Sequence, residues 1–225
     1  MPPQGLRFRV GASSSREEFL RIGKVCADDL LAAYRDLGRS AESDRRWLDF
    51  GSGCGRVARH LVTRGSIVEY TGADVDKEQT AWAARHLPAC FVTIPTTPPT
   101  ALAESAFDVI FSISVFTHLD EAGQFAWLAE LRRLLRPGGL LIATTHSPRI
   151  AHDARGVAPG ELAELDRRGF LFRRSVGPFN EQAAFHSDGY LRAEWGRFLR
   201  PVAHLPFALG QFQDISCWEK SGASP

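Results

Sequence analysis

From residue 16 to 37 the apolar positions recur at helical spacing, with Phe19, Ile22, Val25, Cys26, Leu30, Ala33 and Tyr34 on one face. The serines at 13–15 supply N-cap candidates and Gly38 a stop. Beyond this helix the pattern shortens. Residues 45–50 read as a strand running into glycines, and 56–63 as a helix with Val57, Leu61 and Val62 on one side. A second strand is expected over 67–73 and a helix through Ala81, Trp82, Ala84 and Leu87, stopped by Pro88. Residues 90–94 form a brief third strand, and 95–99 a proline-rich loop. The run 107–113 is apolar on both faces, as a buried parallel strand is. An amphipathic helix over 121–135 and a strand over 140–144 follow. Strand and helix alternate five times, which predicts right-handed crossovers and a parallel sheet.

After His146 the pattern loosens. Helices are expected over 159–168 and 188–197, then strands over 198–205 and 211–220 joined by a turn at 207–210. Strands joined so closely pair antiparallel. No repeat or composition shift marks a boundary, so residues 1–225 read as one domain. Within it, 1–44 is an N-terminal helical segment and 146–190 an insertion over the sheet edge, a lid that binds the acceptor.

Composition narrows the function by exclusion. With 27 Lys and Arg against 26 Asp and Glu, the net charge is +1, which gives no pull toward nucleic acid or an anionic membrane. Basic clusters at Arg132, Arg133 and Arg136 and at Arg167, Arg168, Arg173 and Arg174 read as solvated helix faces. The four cysteines (Cys26, Cys54, Cys90, Cys217) are scattered, without zinc or disulfide spacing. The start lacks a signal-peptide pattern, and no apolar run approaches the ~18 residues of a membrane span, so a cytoplasmic location is expected.

Open α/β sheets bind ligands beyond the carboxyl ends of their strands. Here that edge comprises 49–55, 74–76, 93–96, 112–118 and 145–147. Gly51, Gly53 and Gly55 alternate in the turn between strand and helix, where backbone can approach a ligand closely. A dinucleotide loop has its third glycine three residues after the second; here the interval is two, and Arg56 stands where that fingerprint wants a small residue. Asp49, two positions before the first glycine, suits a ligand with an ammonium and a sulfonium better than a pyrophosphate. Asp74 ends the second strand, placed for ribose hydroxyls, with Val75 against a base and Asp76 as helix N-cap.

Four segments, 47–61 (WLDFGSGCGRVARHL), 71–76 (TGADVD), 107–119 (FDVIFSISVFTHL) and 131–144 (LRRLLRPGGLLIAT), resemble the successive motifs of class I S-adenosylmethionine-dependent methyltransferases. The resemblance implies a Rossmann-like, mostly parallel seven-stranded α/β sheet with an antiparallel last strand and helices on both faces. It implies S-adenosylmethionine as cofactor and S-adenosylhomocysteine as product. Asp49, Gly51, Ser52, Gly53 and Gly55 would then hold the methionine moiety, Asp74 the ribose, and the backbone at Ile113 and Ser114 the amino group. Many members carry an Asp after the third strand for the adenine amino group. Here the stretch reads Val92-Thr93-Ile94-Pro95, leaving Thr93 or a backbone carbonyl to substitute. Residues 185–196 and 211–220 are more loosely similar to a bacterial subgroup often found in sugar or secondary-metabolite pathways.

Methyl transfer to a hydroxyl or ammonium needs a positioned acceptor and a proton sink. His146, His186 and His118 are the candidate bases, since histidine titrates near neutrality. Phe116, Phe179, Phe185 and Trp195 are candidate pocket aromatics, with core packing as their ordinary role. Asp108 begins its strand, at the wrong end for a metal at the site, and no metal is expected. The expected function is methyl transfer to a small-molecule acceptor, oxygen before nitrogen, with no nucleic-acid or membrane partner. The rivals are a catalytically silent cofactor-binding module and, less favoured, an NAD(P)-dependent oxidoreductase; oligomeric state is left open.

Overall fold

The computed structural model describes residues 1–11, 15–62, 67, 69–154, 156–174 and 182–222. Two helices open the chain, α1 (Gln4–Arg9) and α2 (Arg16–Asp36). Strands and helices then alternate: β1 (Arg46–Phe50), α3 (Ala58–Leu61), β2 (Glu69–Asp74), α4 (Lys77–His86), β3 (Cys90–Thr93), β4 (Phe107–Ser112), α5 (Glu121–Leu134) and β5 (Leu135–Thr145). A single 3-10 turn, Phe116–His118, links β4 to α5. The C-terminal part comprises α6 (Pro148–Asp153), α7 (Pro159–Arg168), β6 (Phe170–Arg173), β7 (Ala183–His186), α8 (Asp188–Glu194), β8 (Arg200–Leu209) and β9 (Gln213–Glu219).

The main sheet has the order β3-β2-β1-β4-β5-β9-β8. The first five strands are parallel, and β9 and β8 are antiparallel. The seven-stranded α/β architecture expected from the sequence is therefore present. Side chains alternate between its two faces with the period of two that strand geometry imposes. Trp47, Val109, Phe111, Leu140 and Ile142 pack under α2 and α3 with Leu30, Tyr34 and Leu61. Leu48, Phe50, Ile110, Leu141 and Ala143 face α5 and α8, meeting Trp127, Leu131, Leu191 and Trp195. Both layers are closed, so β4 is buried along its whole length.

Part of the basic clusters is absorbed in ion pairs at the sheet's amino end. Arg136 bridges Asp44 at 2.9 Å and Asp108 at 2.6 Å. Asp108 also accepts the backbone N–H groups of Arg45 and Arg46. Arg133 lies 2.7 Å from Glu130, Arg168 pairs with Glu121 and Glu164, and Arg173 with Glu161. Among the described residues no helix is long and apolar enough to cross a membrane.

α1 lies within the 1–44 segment, where it buries Leu6 against Phe19, Cys54 and Trp82. Three local expectations are corrected. The helix expected from residue 56 begins at Ala58, after a turn through the glycines. β5 starts at Leu135, because the 137–139 turn carries the strand rather than preceding it. The 146–190 segment contains the β6–β7 pair, not just helix, and β7 is tied to the exit of β5 where His186 N–H donates to the His146 carbonyl at 2.8 Å.

Candidate active site

The strand order reverses between β1 and β4, since β1 pairs with β2 on one side and β4 on the other. A crevice opens at such a point, outside the carboxyl ends of the two strands. It is a cavity of about 1120 Å³, walled by Asp49, Gly51, Ser52, Asp74 to Asp76, Ile113 to Val115, His118, His146 and Gln213. Segments far apart in sequence thus converge on one hollow.

Gly51 leaves β1 at φ 87°, and a Cβ there would strike Cγ2 of Val115. Only glycine fits where the backbone turns left-handed against the β4 exit. Gly53 and Gly55 are packing glycines instead. Gly53 faces Val10 and the Gln79 side chain, and Gly55 faces Leu87, so the structure does not put either on the cavity wall. Gly53 contributes through its N–H, which donates to Asp74 Oδ2 at 2.8 Å.

The three acids of this wall have different environments. Asp49 is buried and accepts the Tyr70 hydroxyl at 2.5 Å. Burial pushes its carboxyl up to about 7; the Tyr70 hydroxyl and Arg56 oppose the rise, and Asp74 adds to it. Asp74 is also raised, chiefly by burial, against the N–H groups of Asp76 and Gly53. Asp76 caps α4, accepting from the N–H of Glu78 and Gln79, and its outer oxygen holds Arg9 at 2.7 Å. Arg9, hydrogen-bonded to Asp76 and Glu78, clasps α1 over the glycine loop. Val75 is half exposed on the cavity wall, free to lie against a flat ring.

Asp49 yields a pH prediction. Unfolded it titrates near ~3.9, and folded about 7. Between those values the folded protein holds a proton that the unfolded chain has released, so stability falls as pH rises through the window. Chemical denaturation from pH 4 to 7 is expected to show that slope, and Asp49→Asn to flatten it. Affinity for a cationic ligand moves the opposite way, rising with pH as the carboxyl ionises; an affinity independent of pH would refute the pairing.

The three candidate histidines are sorted clearly. His118 is half-buried on the cavity wall, and its Nδ1 lies 2.9 Å from the Gln182 carbonyl. A carbonyl only accepts, so Nδ1 carries the proton and the neutral ring keeps its lone pair on Nε2. His146 is on the same wall, but its Nε2 faces the side-chain nitrogen of Gln213 at 3.1 Å. Burial, with positive charge at His118, pushes its pKa down to about 4. His186 is a correction. It is 1% exposed, in the core among Phe170, Tyr190 and Trp195, and its Nε2 meets Gln124 Oε1 at 3.0 Å. Burial lowers it to about 3, and it does not reach the cavity.

Thr93 also falls elsewhere. Its hydroxyl is 2.8 Å from that of Thr80, turned toward α4, and it borders a separate open hollow beside α1. Phe116, Phe185 and Trp195 are core residues, 0%, 3% and 0% exposed; Phe179 lies outside the described residues. Several wall residues carried no signal in the sequence. Phe8 to Gly11 arrive with α1, Arg21 and Ile22 with α2, and Phe212 and Gln213 with the β8–β9 hairpin. The one available cue was Arg21, Ile22, Val25 and Cys26 sharing a helix face.

A doubly wound sheet with an antiparallel terminal pair and an acid-lined glycine turn at its reversal defines a cofactor-binding α/β protein. Residues 48–141 match the sequence model of a methyltransferase domain family. A ubiquinone biosynthesis O-methyltransferase of a Caulobacter species is 34% identical over 113 residues, covering 48% of this chain and 43% of that protein. One of Ruegeria pomeroyi is 30% identical over 173 residues, covering 61% and 68%. The chain spans 43% and 64% of the length of the first two curated relatives it matches. Among solved structures, an S-adenosylmethionine-dependent methyltransferase of Mesorhizobium loti has a TM-score of 0.64 at 15% identity, over 84% of this chain and 96% of that one. The Burkholderia thailandensis 1,6-didemethyltoxoflavin-N1-methyltransferase, with 1,6-didemethyltoxoflavin and S-adenosylhomocysteine bound, has a TM-score of 0.64 at 16% identity, over 98% and 91%. These two likenesses concern the fold. The chain belongs to the class I S-adenosylmethionine-dependent methyltransferases.

The residues present fit that family's cofactor. Ser52 Oγ and Gln79 Oε1 are buried on the cavity wall without hydrogen-bond partners among the described residues. Such groups are costly unless a polar ligand meets them.

Proposed function

We propose that this protein transfers the methyl group of S-adenosylmethionine to a hydroxyl of a small-molecule acceptor, with His118 as general base. The observation that carries the reading is the single cavity that joins the Asp49–Ser52 turn, Asp74 and the β4 exit to a histidine whose Nδ1 is engaged by the Gln182 carbonyl, which leaves the ring's lone pair on Nε2. The cofactor supplies an electrophilic methyl on a sulfonium, and the protein supplies everything else. Asp74 and the glycine turn orient the ribose and methionine ends, and the backbone at Ile113 and Ser114 takes the amino group. The acceptor enters between α2 and the β8–β9 hairpin, against Ile22, Val25, Leu209 and Phe212. As the oxygen attacks, its proton passes to Nε2 of His118, while Nδ1 keeps its own proton and donates it to the Gln182 carbonyl.

Gln182 belongs to the 146–190 segment, so that segment orients the base. Relatives named as O-methyltransferases support oxygen over nitrogen as the acceptor atom. A balanced charge and the absence of a spanning helix among the described residues favour a small molecule in the cytoplasm over a polyanionic or membrane partner. Calorimetry with S-adenosylhomocysteine and with NAD(P)H tests the cofactor half. Binding of the first alone is expected, and the reverse would overturn the reading. S-Adenosylhomocysteine release from a panel of phenolic and sugar hydroxyls tests the other half; cofactor binding with no turnover of any acceptor would favour a silent binding module.

A further inference from the structure

The side chain of Gln213 stands between the cofactor turn and His146. On one side Ser114 Oγ donates to Gln213 Oε1 at 3.1 Å. On the other, Gln213 Nε2 lies 3.1 Å from His146 Nε2. Ser114 is itself held at φ 60°, a conformation unusual for a residue with a side chain, and its N–H donates to Thr144 Oγ1 at 2.8 Å. Gln213 is buried, so both ends of its amide are committed inside the protein.

An amide nitrogen donates and does not accept. With the Gln213 oxygen taken by Ser114, its N–H points at the His146 ring, whose Nε2 must supply the lone pair. His146 is thereby the Nδ1–H tautomer, and a proton added at Nε2 would face a donor. We propose that Gln213 is a positioning residue that keeps His146 uncharged, and so keeps a second positive charge out of a cavity built to accept a sulfonium. The proposal rests on S-adenosylmethionine being the ligand.

The neighbours of His146 reinforce this. The 3-10 turn contributes His118, whose positive charge, when present, disfavours a charge on His146. β7 contributes the buried His186 and the Phe185 ring, the latter 5.7 Å away. β9 contributes Asp214, an acid whose charge favours protonation. Asp214 is already engaged by the N–H of Phe207 and by His204 at 3.1 Å. Phe212 packs edge-on against the ring at 5.3 Å. Burial and the Gln213 donor thus act together against the charged form.

The test uses the whole protein in two measurements. Nitrogen-detected NMR of the wild type, free and with S-adenosylhomocysteine, reports the His146 tautomer. Nδ1–H with no titration above pH 5 is expected, and an Nε2–H ring would overturn the proposal. In Gln213→Ala, with the donor gone, His146 is expected to titrate closer to ordinary histidine. The ratio of S-adenosylmethionine to S-adenosylhomocysteine affinity should then fall by about tenfold from pH 8 to pH 6, as two like charges share a cavity. A ratio that stays independent of pH while His146 titrates overturns the proposal too. Failure of the wild type to bind S-adenosylhomocysteine at all would defeat the cofactor reading itself, a result distinguishable from the other two. Because the wild-type spectrum suffices to overturn the tautomer, the proposal stays falsifiable even if the variant misfolds.

Discussion

Replacing His118 with Gln is expected to lower kcat by about 10²–10⁴-fold, the usual contribution of a positioned proton acceptor. Glutamine preserves size and can still donate to the Gln182 carbonyl, so the local structure has a replacement for the lost Nδ1–H. It offers no basic nitrogen to the acceptor oxygen. Cofactor affinity should therefore hold, KM for the acceptor should change little, and the loss should sit in kcat. The companion variant His146→Gln separates the two cavity histidines. His146 is a poor base, because burial has pulled it down to about 4 and Gln213 occupies its lone pair. If His146→Gln shows the large kcat loss and His118→Gln does not, the assignment of the base is wrong.

The second large effect is expected at Asp74. Asp74→Ala should weaken S-adenosylhomocysteine binding by about a hundredfold or more, since two hydrogen bonds to a charged acceptor are worth roughly 1.5–3 kcal/mol each. The carboxylate also organises the protein: it accepts from Gly53 N–H and Asp76 N–H at 2.8 Å each. Removing it loosens the glycine turn as well as the ribose contact. Asp76→Ala is the informative contrast. It removes the α4 cap and half of the Arg9 clasp, so it should cost about 1 kcal/mol of stability with a smaller loss of affinity. Calorimetry on both variants decides. Equal losses would mean that Asp74 acts only through the turn, and an unchanged affinity would remove it from the site.

The parallel core was legible in the sequence because its signals are local. A strand buried on both faces, such as β4, shows as an unbroken apolar run, and Gly51 announces its turn by lacking a side chain. Asp74 and Asp76 were readable for the same reason, one ending a strand and one starting a helix. What failed was the direction of side chains on short elements. His186 lies on a four-residue strand whose positions are all buried, so no alternation reveals which face meets the core. Thr93 is in register with Asp74, yet its hydroxyl turns to Thr80. α1 has six residues, too few for a period to show, and its place over the glycine turn is fixed by Arg9 reaching residues 67 and 69 positions away. Gln213 carries no signal in its own neighbourhood, since its significance comes wholly from partners 67 and 99 residues distant.

β9 runs against its neighbours, and that reversal governs what the last strand brings to the edge. A parallel strand delivers its final residues to the ligand side; β9 delivers its first, together with the Gly210 to Phe212 turn that precedes it. In the proposed reaction the acceptor side of the cavity is therefore written largely in the hairpin tip and α2, while the cofactor side is written in the turns after β1, β2 and β4. Hairpin tips accept insertions and exchanges that buried parallel strands do not. Divergence of acceptor among proteins of this build can proceed in one half of the cavity without disturbing the other, and exchange of the 206–212 tip is a route to a new acceptor that leaves the methyl donor in place.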